Sequence, residues 1–185
     1  TLDYLDQGAV TSLAAHGRAV GMPSEKDMGN SEVGHNALGA GRVFDQGAKL
    51  VEQAIATGAL FEGAVWDWLL GPCVAENKAM HFIGLLSDGN VHSHQEHLHA
   101  LVSAAADAGC RRVYVHPLLD GRDVDAVSAL RYLDTLEEHL ALFRDSERDF
   151  RVASGGGRMV TTMDRYEADW SIVRRGWQEH VLGEG

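Results

Sequence analysis

Three short polar segments of the sequence combine glycine with side chains that bind anions. Residues 87–94 carry histidines, residues 120–123 carry an Arg–Asp pair, and residues 155–158 place an arginine after three glycines. A guanidinium group presents a fork of N–H donors to a phosphate or carboxylate, and an aspartate accepts a hydrogen bond from a hydroxyl. The three segments therefore point to a site for a small anionic ligand.

The segment Asp120–Asp123 has two interpretations. Asp-Gly is a common turn dipeptide, so the segment can be a plain turn. Alternatively, Arg122 binds a phosphate or carboxylate while the neighbouring Asp123 accepts a hydrogen bond from a substrate hydroxyl. The spacing alone favours neither interpretation.

The three glycines before Arg158 are also open to two interpretations. Such a run is often only a flexible loop, but backbone N–H groups beside a guanidinium also suit an oxyanion. Arg165 follows seven residues later and adds another guanidinium. Together with Arg122, these side chains predict a small ligand with two negative charges.

Four histidines lie within eight residues, at positions 92, 94, 97 and 99. Imidazole is a common metal ligand, so a metal site is one interpretation. No pair among the four has the i, i+4 spacing of a helical zinc motif, which favours solvated side chains instead. His92 is the best functional candidate of the four because it lies in the loop after a predicted strand.

Ser31 lies in a glycine-flanked segment, between Gly29 and Gly34. Either Asn30 or Ser31 can cap a helix that begins here. Alternatively, Ser31 is a nucleophile on a tight turn, which requires a base or a metal to activate its hydroxyl. His35 is a nearby base, but no aspartate is evident to orient it, so local chemistry favours the cap.

The elements that must position these groups alternate in type. Apolar runs at residues 80–86, 112–119 and 150–154 predict strands, the first of them buried on both faces. Helical spacing predicts short helices at 31–40 and 62–70, and the second of these is expected to end before Gly71-Pro72. It also predicts one helix between each pair of successive strands. A final helix carries an apolar stripe of Trp170, Val173, Trp177 and Val181.

The order β-α-β-α-β-α predicts an α/β fold with a parallel sheet, preceded by a glycine-rich, loop-rich N-terminal arm. Ligands of open parallel sheets bind outside the carboxyl ends of the strands. The three polar segments follow predicted strands, so they are expected to converge at one edge of the sheet.

Composition excludes several classes of protein. The 185 residues are 45% hydrophobic and 23% charged, which excludes general disorder. The net charge of −11 makes nucleic acid and anionic membranes poor partners. Two separated cysteines form no disulfide framework, and the sequence has neither a membrane-spanning run nor a signal peptide, so a cytoplasmic location is expected.

Four longer motifs occur in a defined order. They are MGNSEVGHNALGAGR (Met28–Arg42), GLLSDGNVHSH (Gly84–His94), LDGRD (Leu119–Asp123) and SGGGRMVTTMDRYEADW (Ser154–Trp170). In this combination the chain resembles the cofactor-independent phosphoglycerate mutases of the alkaline phosphatase superfamily. The resemblance implies a glycolytic isomerase that interconverts 3-phosphoglycerate and 2-phosphoglycerate through a phosphoserine.

The resemblance also implies roles for particular residues. Ser31 corresponds to the family's nucleophile, which is also a metal ligand. Substrate-binding residues of the family correspond to His92, Arg122, Asp123, Arg158 and Arg165. The implied cofactor is a divalent metal, Mn²⁺ with Mg²⁺ or Co²⁺ as alternatives, whose remaining ligands lie outside this chain.

The family's organisation implies two parts and a partial active site. Residues 1–45 correspond to a fragment of the metal-bearing phosphatase-like domain, and residues 46–185 to most of the phosphotransferase domain. The only expected partner is a small-molecule phosphoglycerate, and the full-length enzyme is expected to be a monomer that binds neither nucleic acid nor membranes. The 185 residues alone are expected to be inactive.

Two other functions remain open at this point. One is a metal-dependent phosphatase or sulfatase of the same superfamily, which hydrolyses its substrate rather than transferring the group. The other is a non-catalytic domain that binds small anions. The Arg122–Asp123 pair favours the mutase, because a mutase must retain and reorient glycerate between two transfers.

Overall fold

The computed structural model describes Gly8, residues 11–162, Glu167 and residues 169–185. The chain divides into two compact units between Lys49 and Leu50. The sequence places the division at residues 45 and 46, and the assignment of the two parts to phosphatase-like and phosphotransferase domains stays a prediction.

The helices and strands of the described residues follow a simple order. They are α1 (Ser31–Ala40), α2 (Gly47–Ala56), α3 (Ala64–Ala75), β1 (Met80–Leu86), α4 (Gln95–Asp107), β2 (Arg112–Leu119), α5 (Ala129–Ala141), β3 (Asp149–Val152), β4 (Gly156–Gly157) and α6 (Trp170–Trp177). Short 3-10 turns lie at Gly17–Val20 and Ala59–Phe61, and π-helical turns at Arg158–Thr162 and Gln178–Leu182.

The first unit is mostly irregular backbone held by a few specific contacts. The buried side chain of Gln46 donates to the Val20 carbonyl at 3.0 Å, and its backbone N–H donates to the Gly21 carbonyl at 3.0 Å. A Cβ on Gly21 would lie 1.8 Å from the Phe44 carbonyl oxygen, and its φ of 86° also requires glycine. The predicted loop-rich arm is therefore an ordered segment built around close backbone approaches.

The strands of the second unit form a parallel sheet. β1 pairs with all of β2, from Met80 beside Val113 to Leu86 beside Leu119. β3 pairs with the first half of β2, and β4 with its last two residues. Parallel neighbours require crossover connections, which α4 and α5 supply. This arrangement confirms the predicted α/β fold class.

The core lies between the helices and one face of the sheet. Phe150 of β3 and Val113 of β2 are fully buried, as are Val102 of α4 and Leu136 of α5. Successive strand residues point to opposite faces, so this packing uses every second residue of β1 and β2. The core thus fixes which loop residues leave the sheet at its carboxyl edge.

The prediction that β1 is buried on both faces is wrong for the described structure. Met80 and Leu86 pack into the core, whereas His81 and Ile83 on the opposite face are exposed, Ile83 by 62%. The apolar run gives no information about which face receives helices. In the described residues, the buried helix side chains pack on the Met80 face.

The predicted end of a helix before Gly71-Pro72 is also wrong, because α3 continues through Pro72 to Ala75. Proline lacks an N–H, so one helical hydrogen bond is lost at this point. The helix persists because Trp66, Leu70 and Cys73 lie on one face and are buried in the core. Burial of that face outweighs the missing bond.

The last two predicted elements are partly altered. The third strand ends at Val152 rather than at residue 154, and β4 follows as a separate short strand. The final helix is present, but Trp170 and Trp177 of its apolar stripe are exposed in the described structure. Within the described ranges, no helix is both long and apolar enough to span a membrane.

Candidate functional site

The loop after β1 is organised by Ser87, which is buried at the end of that strand. Its hydroxyl accepts a hydrogen bond from the Gly89 N–H at 3.1 Å, and its carbonyl accepts one from Gln95, the first residue of α4, at 2.7 Å. Asn90 turns the chain with a φ of 54°, a conformation that asparagine tolerates better than most residues. The loop is therefore compact rather than flexible.

This loop lies directly against the loop after β2. A Cβ on Gly89 would lie 3.1 Å from the carbonyl oxygen of Asp123, so a side chain at position 89 would require the neighbouring loop to shift by a few tenths of an ångström. The Ser87 hydroxyl also donates to Oδ2 of Asp120 at 2.6 Å. The ends of β1 and β2 are thus joined through polar contacts.

Asp120 is the centre of the loop after β2. Its Oδ1 accepts hydrogen bonds from the backbone N–H groups of Arg122 at 3.1 Å and Asp123 at 3.0 Å. Burial by itself raises the pKa of this carboxyl, but the bonds from Ser87 and the two backbone groups, with the charge of Arg158, outweigh it. The net result is a pKa below the usual 3.8, so Asp120 is a carboxylate at neutral pH.

Arg158 reaches the same place from the third loop. β4 pairs with Leu118 and Leu119 at the end of β2, and Arg158 follows β4 directly. Its Nη1 lies 3.0 Å from Oδ2 of Asp123 and 3.4 Å from Oδ1 of Asp120, and its side chain is only 5% exposed. Its Nε is buried and has no partner among the described residues.

Two predicted site residues remain open to solvent beside this cluster. Nε2 of His92 lies 3.9 Å from Oδ2 of Asp123, and the His92 side chain is 53% exposed. Arg122 is exposed, and its guanidinium has no ion pair with any described residue. The three loops therefore converge at the carboxyl edge of the sheet, where His92, Asp123 and Arg158 lie together and the backbone of Arg122 is bound to Asp120.

The electrostatics of this edge are balanced rather than uniformly positive. The charge of Arg158 is offset by two carboxylates, whereas Arg122 has no ion pair with a described residue. An anion approaching the edge thus meets the exposed guanidinium of Arg122, a partly exposed imidazole and an aspartate that can accept a hydroxyl hydrogen. This arrangement suits a hydroxylated carboxylate or phosphate ester.

Ser31 belongs to the first unit, at the start of α1. Asn30 is the cap of α1, because its side chain accepts the Val33 N–H at 3.0 Å. Ser31 is then the first residue of the helix, with an exposed side chain that is free of the capping role. The alternative in which Ser31 itself is the cap is wrong.

His35 is poorly placed as a base for Ser31. Its Nδ1 lies 2.6 Å from the Ser31 carbonyl oxygen and 3.5 Å from the Ser31 hydroxyl. A carbonyl only accepts hydrogen bonds, so Nδ1 must carry the proton there and cannot accept one from the hydroxyl. The Nδ1 atom of His35 therefore does not activate Ser31 in this arrangement.

His94 and His99 of the 92–99 cluster have structural roles. Nδ1 of His94 accepts the Glu96 N–H at 3.3 Å and caps α4, and His99 stacks on His139 with ring centroids 4.3 Å apart. Across the described ranges, no group of three or more His, Cys, Asp or Glu side chains is placed to hold a metal. Arg165 lies outside the described residues.

Sequence reasoning missed Ser87 and Asp120 as members of the site. Asp120 was visible only as the first residue of a turn, and Ser87 only as the first residue of a polar loop. The available signal was position, since each directly follows a strand of a parallel sheet. Contact between them depends on the register of β1 and β2, which composition does not reveal.

Comparison with known proteins identifies the family. Residues 51–185 match the family model described as "BPG-independent PGAM N-terminus (iPGM_N)". The chain belongs to this family. Among its relatives, the probable 2,3-bisphosphoglycerate-independent phosphoglycerate mutase of Leptospira interrogans is 58% identical over 94% of the chain and 32% of its own length. The 2,3-bisphosphoglycerate-independent phosphoglycerate mutase 1 of Arabidopsis thaliana is 52% identical over 99% of the chain and 33% of its own length.

A solved structure of a phosphoglycerate mutase shares this fold. The phosphoglycerate mutase of Leishmania mexicana, crystallised at low cobalt concentration, superposes with a TM-score of 0.89 at 50% identity. The match covers 99% of this chain and 34% of the Leishmania chain. Our chain thus spans about a third of the length of the BPG-independent phosphoglycerate mutases that it matches.

Proposed function

We propose that this chain supplies the nucleophile and part of the substrate site of a 2,3-bisphosphoglycerate-independent phosphoglycerate mutase. Such an enzyme is an isomerase of glycolysis that interconverts 3-phosphoglycerate and 2-phosphoglycerate. Relatives that are 50–58% identical carry this name. The observation that carries the proposal is the junction of Arg122, Asp123 and Arg158 at one edge of the sheet.

The substrate side of the proposal follows from the geometry of that edge. The exposed guanidinium of Arg122 binds an anionic group of phosphoglycerate through paired N–H donors. Asp123 accepts a hydrogen bond from a glycerate hydroxyl, and the exposed His92 contacts the same ligand. Arg158 contributes its remaining donors, and Arg165 joins the site through the family resemblance.

The chemical step belongs to Ser31. The Ser31 hydroxyl gives up its proton, and its oxygen forms a bond to the phosphorus atom of 3-phosphoglycerate as the bond from phosphorus to the C3 oxygen breaks. The C3 oxygen takes up a proton, so the net proton count is unchanged. Glycerate then reorients. The C2 oxygen takes the phosphoryl group from Ser31 in the reverse step, and the Ser31 oxygen regains a proton as the C2 hydroxyl loses one. The N-terminus of α1 favours the negative charge that the phosphoserine carries.

The described residues do not form a metal site by themselves. No cluster of His, Cys, Asp or Glu among them suits a metal, and Ser31 offers a single oxygen. A divalent metal, Mn²⁺ with Mg²⁺ or Co²⁺ as alternatives, remains part of the proposal through the resemblance, and no step above passes through it. A monomeric, cytoplasmic enzyme with no nucleic-acid or membrane partner completes the proposal.

The proposal is tested in a polypeptide of the relatives' length that contains this chain. Replacing Ser31→Ala is expected to abolish interconversion, measured by coupling 2-phosphoglycerate formation to enolase. Mass spectrometry after rapid quenching with substrate is expected to find phosphate on Ser31. The control Ser12→Ala changes another exposed serine and should leave the rate unchanged.

Two results would contradict this proposal. Recovery of a phosphohistidine would indicate a different class of mutase. Release of inorganic phosphate with no 2-phosphoglycerate would indicate a phosphatase of the same superfamily.

A further inference from the structure

Asp120 lies where the loops after β1, β2 and β4 meet at the carboxyl edge of the sheet. This edge, with His92, Arg122, Asp123 and Arg158, is called the substrate edge below. Its carboxylate accepts hydrogen bonds from the Ser87 hydroxyl in the loop after β1 and from two backbone N–H groups of its own loop after β2. It also forms an ion pair with Arg158, which follows β4. Asp123 also reaches the other two loops, but its contact with the exposed His92 is 3.9 Å long, whereas the Asp120 side chain is fully buried. The contacts of Asp120 therefore decide how these loops sit against one another.

Asp120 is too deeply buried to contact a ligand itself. Its side chain has no exposed surface, and both of its oxygens are occupied by the partners named above. A buried carboxylate that is fully hydrogen-bonded and ion-paired is a rigid anchor, since breaking any contact leaves a charge without compensation. Its influence on a ligand must pass through the groups it holds.

Those groups are the ones that face the ligand. The backbone bonds from Asp120 fix the turn that carries Arg122 and Asp123. Its charge also offsets that of Arg158, whose Nη1 in turn holds Oδ2 of Asp123. Without the Asp120 charge, Arg158 would be buried beside only one carboxylate, that of Asp123. Oδ2 of Asp123 would then be bound to a guanidinium that is no longer held in place by Asp120.

We propose that Asp120, supported by the Ser87 hydroxyl, is the positioning residue of the substrate edge. It holds Arg158 and the Arg122–Asp123 turn in their binding arrangement before a ligand arrives. The proposal rests on the proposed function for the identity of the ligand, 3-phosphoglycerate. The arrangement of Arg158 can be measured without that ligand.

The first measurement uses NMR of the 185-residue chain labelled with ¹⁵N-arginine. The Nε–H signal of Arg158, assigned by its loss in Arg158→Lys, is expected to be sharp and to exchange slowly with water, because Nε is buried and the guanidinium is held through Nη1. Both Asp120→Asn and Ser87→Ala should broaden this signal or speed its exchange. Unchanged backbone N–H signals of Arg112 in β2 and Arg151 in β3 show that the sheet is intact.

The second measurement titrates the same chains with 3-phosphoglycerate. Asp120→Asn and Ser87→Ala are each expected to weaken binding about tenfold, which corresponds to about 1.4 kcal/mol. Ser87→Thr keeps the hydroxyl and should restore most of the affinity. The matched control is Asp125→Asn, since Asp125 is an exposed carboxylate of the same loop whose bond is to Val127 rather than to Arg158.

The outcomes separate this inference from the proposed function. If the Arg158 signal responds as expected but no chain binds 3-phosphoglycerate, the positioning role stands and the proposed function fails. If Asp120→Asn unfolds the chain, Ser87→Ala and its Ser87→Thr rescue decide the question. The inference is overturned if Ser87→Ala folds and leaves both the Arg158 signal and the affinity unchanged.

Discussion

Arginines of the substrate edge differ in how much of their charge is available. Arg158 is buried between two carboxylates, whereas Arg122 is exposed and unpaired among the described residues. A carboxylate partner satisfies part of the guanidinium fork and cancels its charge. Arg122 is therefore the residue that contributes most net attraction for an anion.

Replacement of Arg122→Lys is expected to weaken binding of 3-phosphoglycerate to the chain roughly tenfold, because a point charge makes fewer directed hydrogen bonds than a planar fork. Isothermal titration or NMR titration measures the change. Arg148→Lys alters an exposed arginine that pairs with Asp145 and serves as the control. Equal losses in both variants would show that the effect is general electrostatics rather than recognition by Arg122.

The sequence predicts which residues lie near one another at the site, because those residues are in loops that follow predicted parallel strands. His92, Arg122, Asp123 and Arg158 follow strands, and the rule for parallel sheets places them together. Their pairing was not predictable, because it depends on side-chain directions. Asp120 looked like a turn residue for the same reason, since Asp-Gly predicts a turn whether or not the carboxylate binds anything else.

Between elements, the packing of α4 on α5 contains a stacked histidine pair. His99 lies against His139, and Nδ1 of His99 is 3.7 Å from a carboxylate oxygen of Glu96. Burial, and secondly the neighbouring His139, lower the pKa of His99 below its ordinary 6.5. The folded chain thus binds a proton at His99 less readily than the unfolded chain does.

This shift has a defined sign for stability. Above about pH 6.5 both states hold a neutral His99, and stability does not depend on this group. As the pH falls below that value the unfolded chain takes up the proton first, so the free energy of unfolding decreases. The loss continues down to the lowered pKa of the folded state.

We expect His99→Phe to reduce the loss of stability that occurs as the pH falls below about 6.5, while preserving a ring for stacking on His139. Urea unfolding followed by circular dichroism at several pH values measures this. His16→Phe, at an exposed position, is the control. A pH dependence that is identical in wild type and His99→Phe contradicts the assignment to His99; the lowered pKa values of His97 and His116 would then carry the effect.

Elements were predicted well where their apolar spacing was sufficient. The alternation of strands and helices needed only hydrophobic periodicity, and β1, α4, β2 and α5 occur as expected. The exposed face of β1 and the passage of α3 through Pro72 were not predictable, because each depends on which surface the neighbouring elements cover. Local sequence gives propensity, whereas burial is a property of the whole unit.

At the scale of the whole molecule, binding and chemistry are expected to separate in this chain. The substrate edge is formed by residues of the second unit, whereas activation of Ser31 has no evident base or metal cluster among the described residues. The 185-residue chain is therefore expected to bind 3-phosphoglycerate weakly but not to convert it. An enolase-coupled assay beside an NMR titration tests both parts.

The matched control for that assay is the same preparation of the chain with Ser31→Ala. Trace activity that appears equally in both samples comes from a contaminating enzyme. Interconversion by the wild-type chain that disappears in Ser31→Ala would show that the chain holds a complete catalytic site, and would contradict this prediction.

The cap of α1 has a consequence for how this protein tolerates mutation. Because Asn30 caps the first turn, the Ser31 hydroxyl is not needed for that role, its contact with His35 is a long 3.5 Å, and alanine at position 31 would suit the helix slightly better. Loss of Ser31 thus removes the proposed chemistry and leaves the fold as stable as before. Inactive descendants of this chain would persist as intact proteins, and Ser31→Ala is a natural choice for capturing an unreacted ligand.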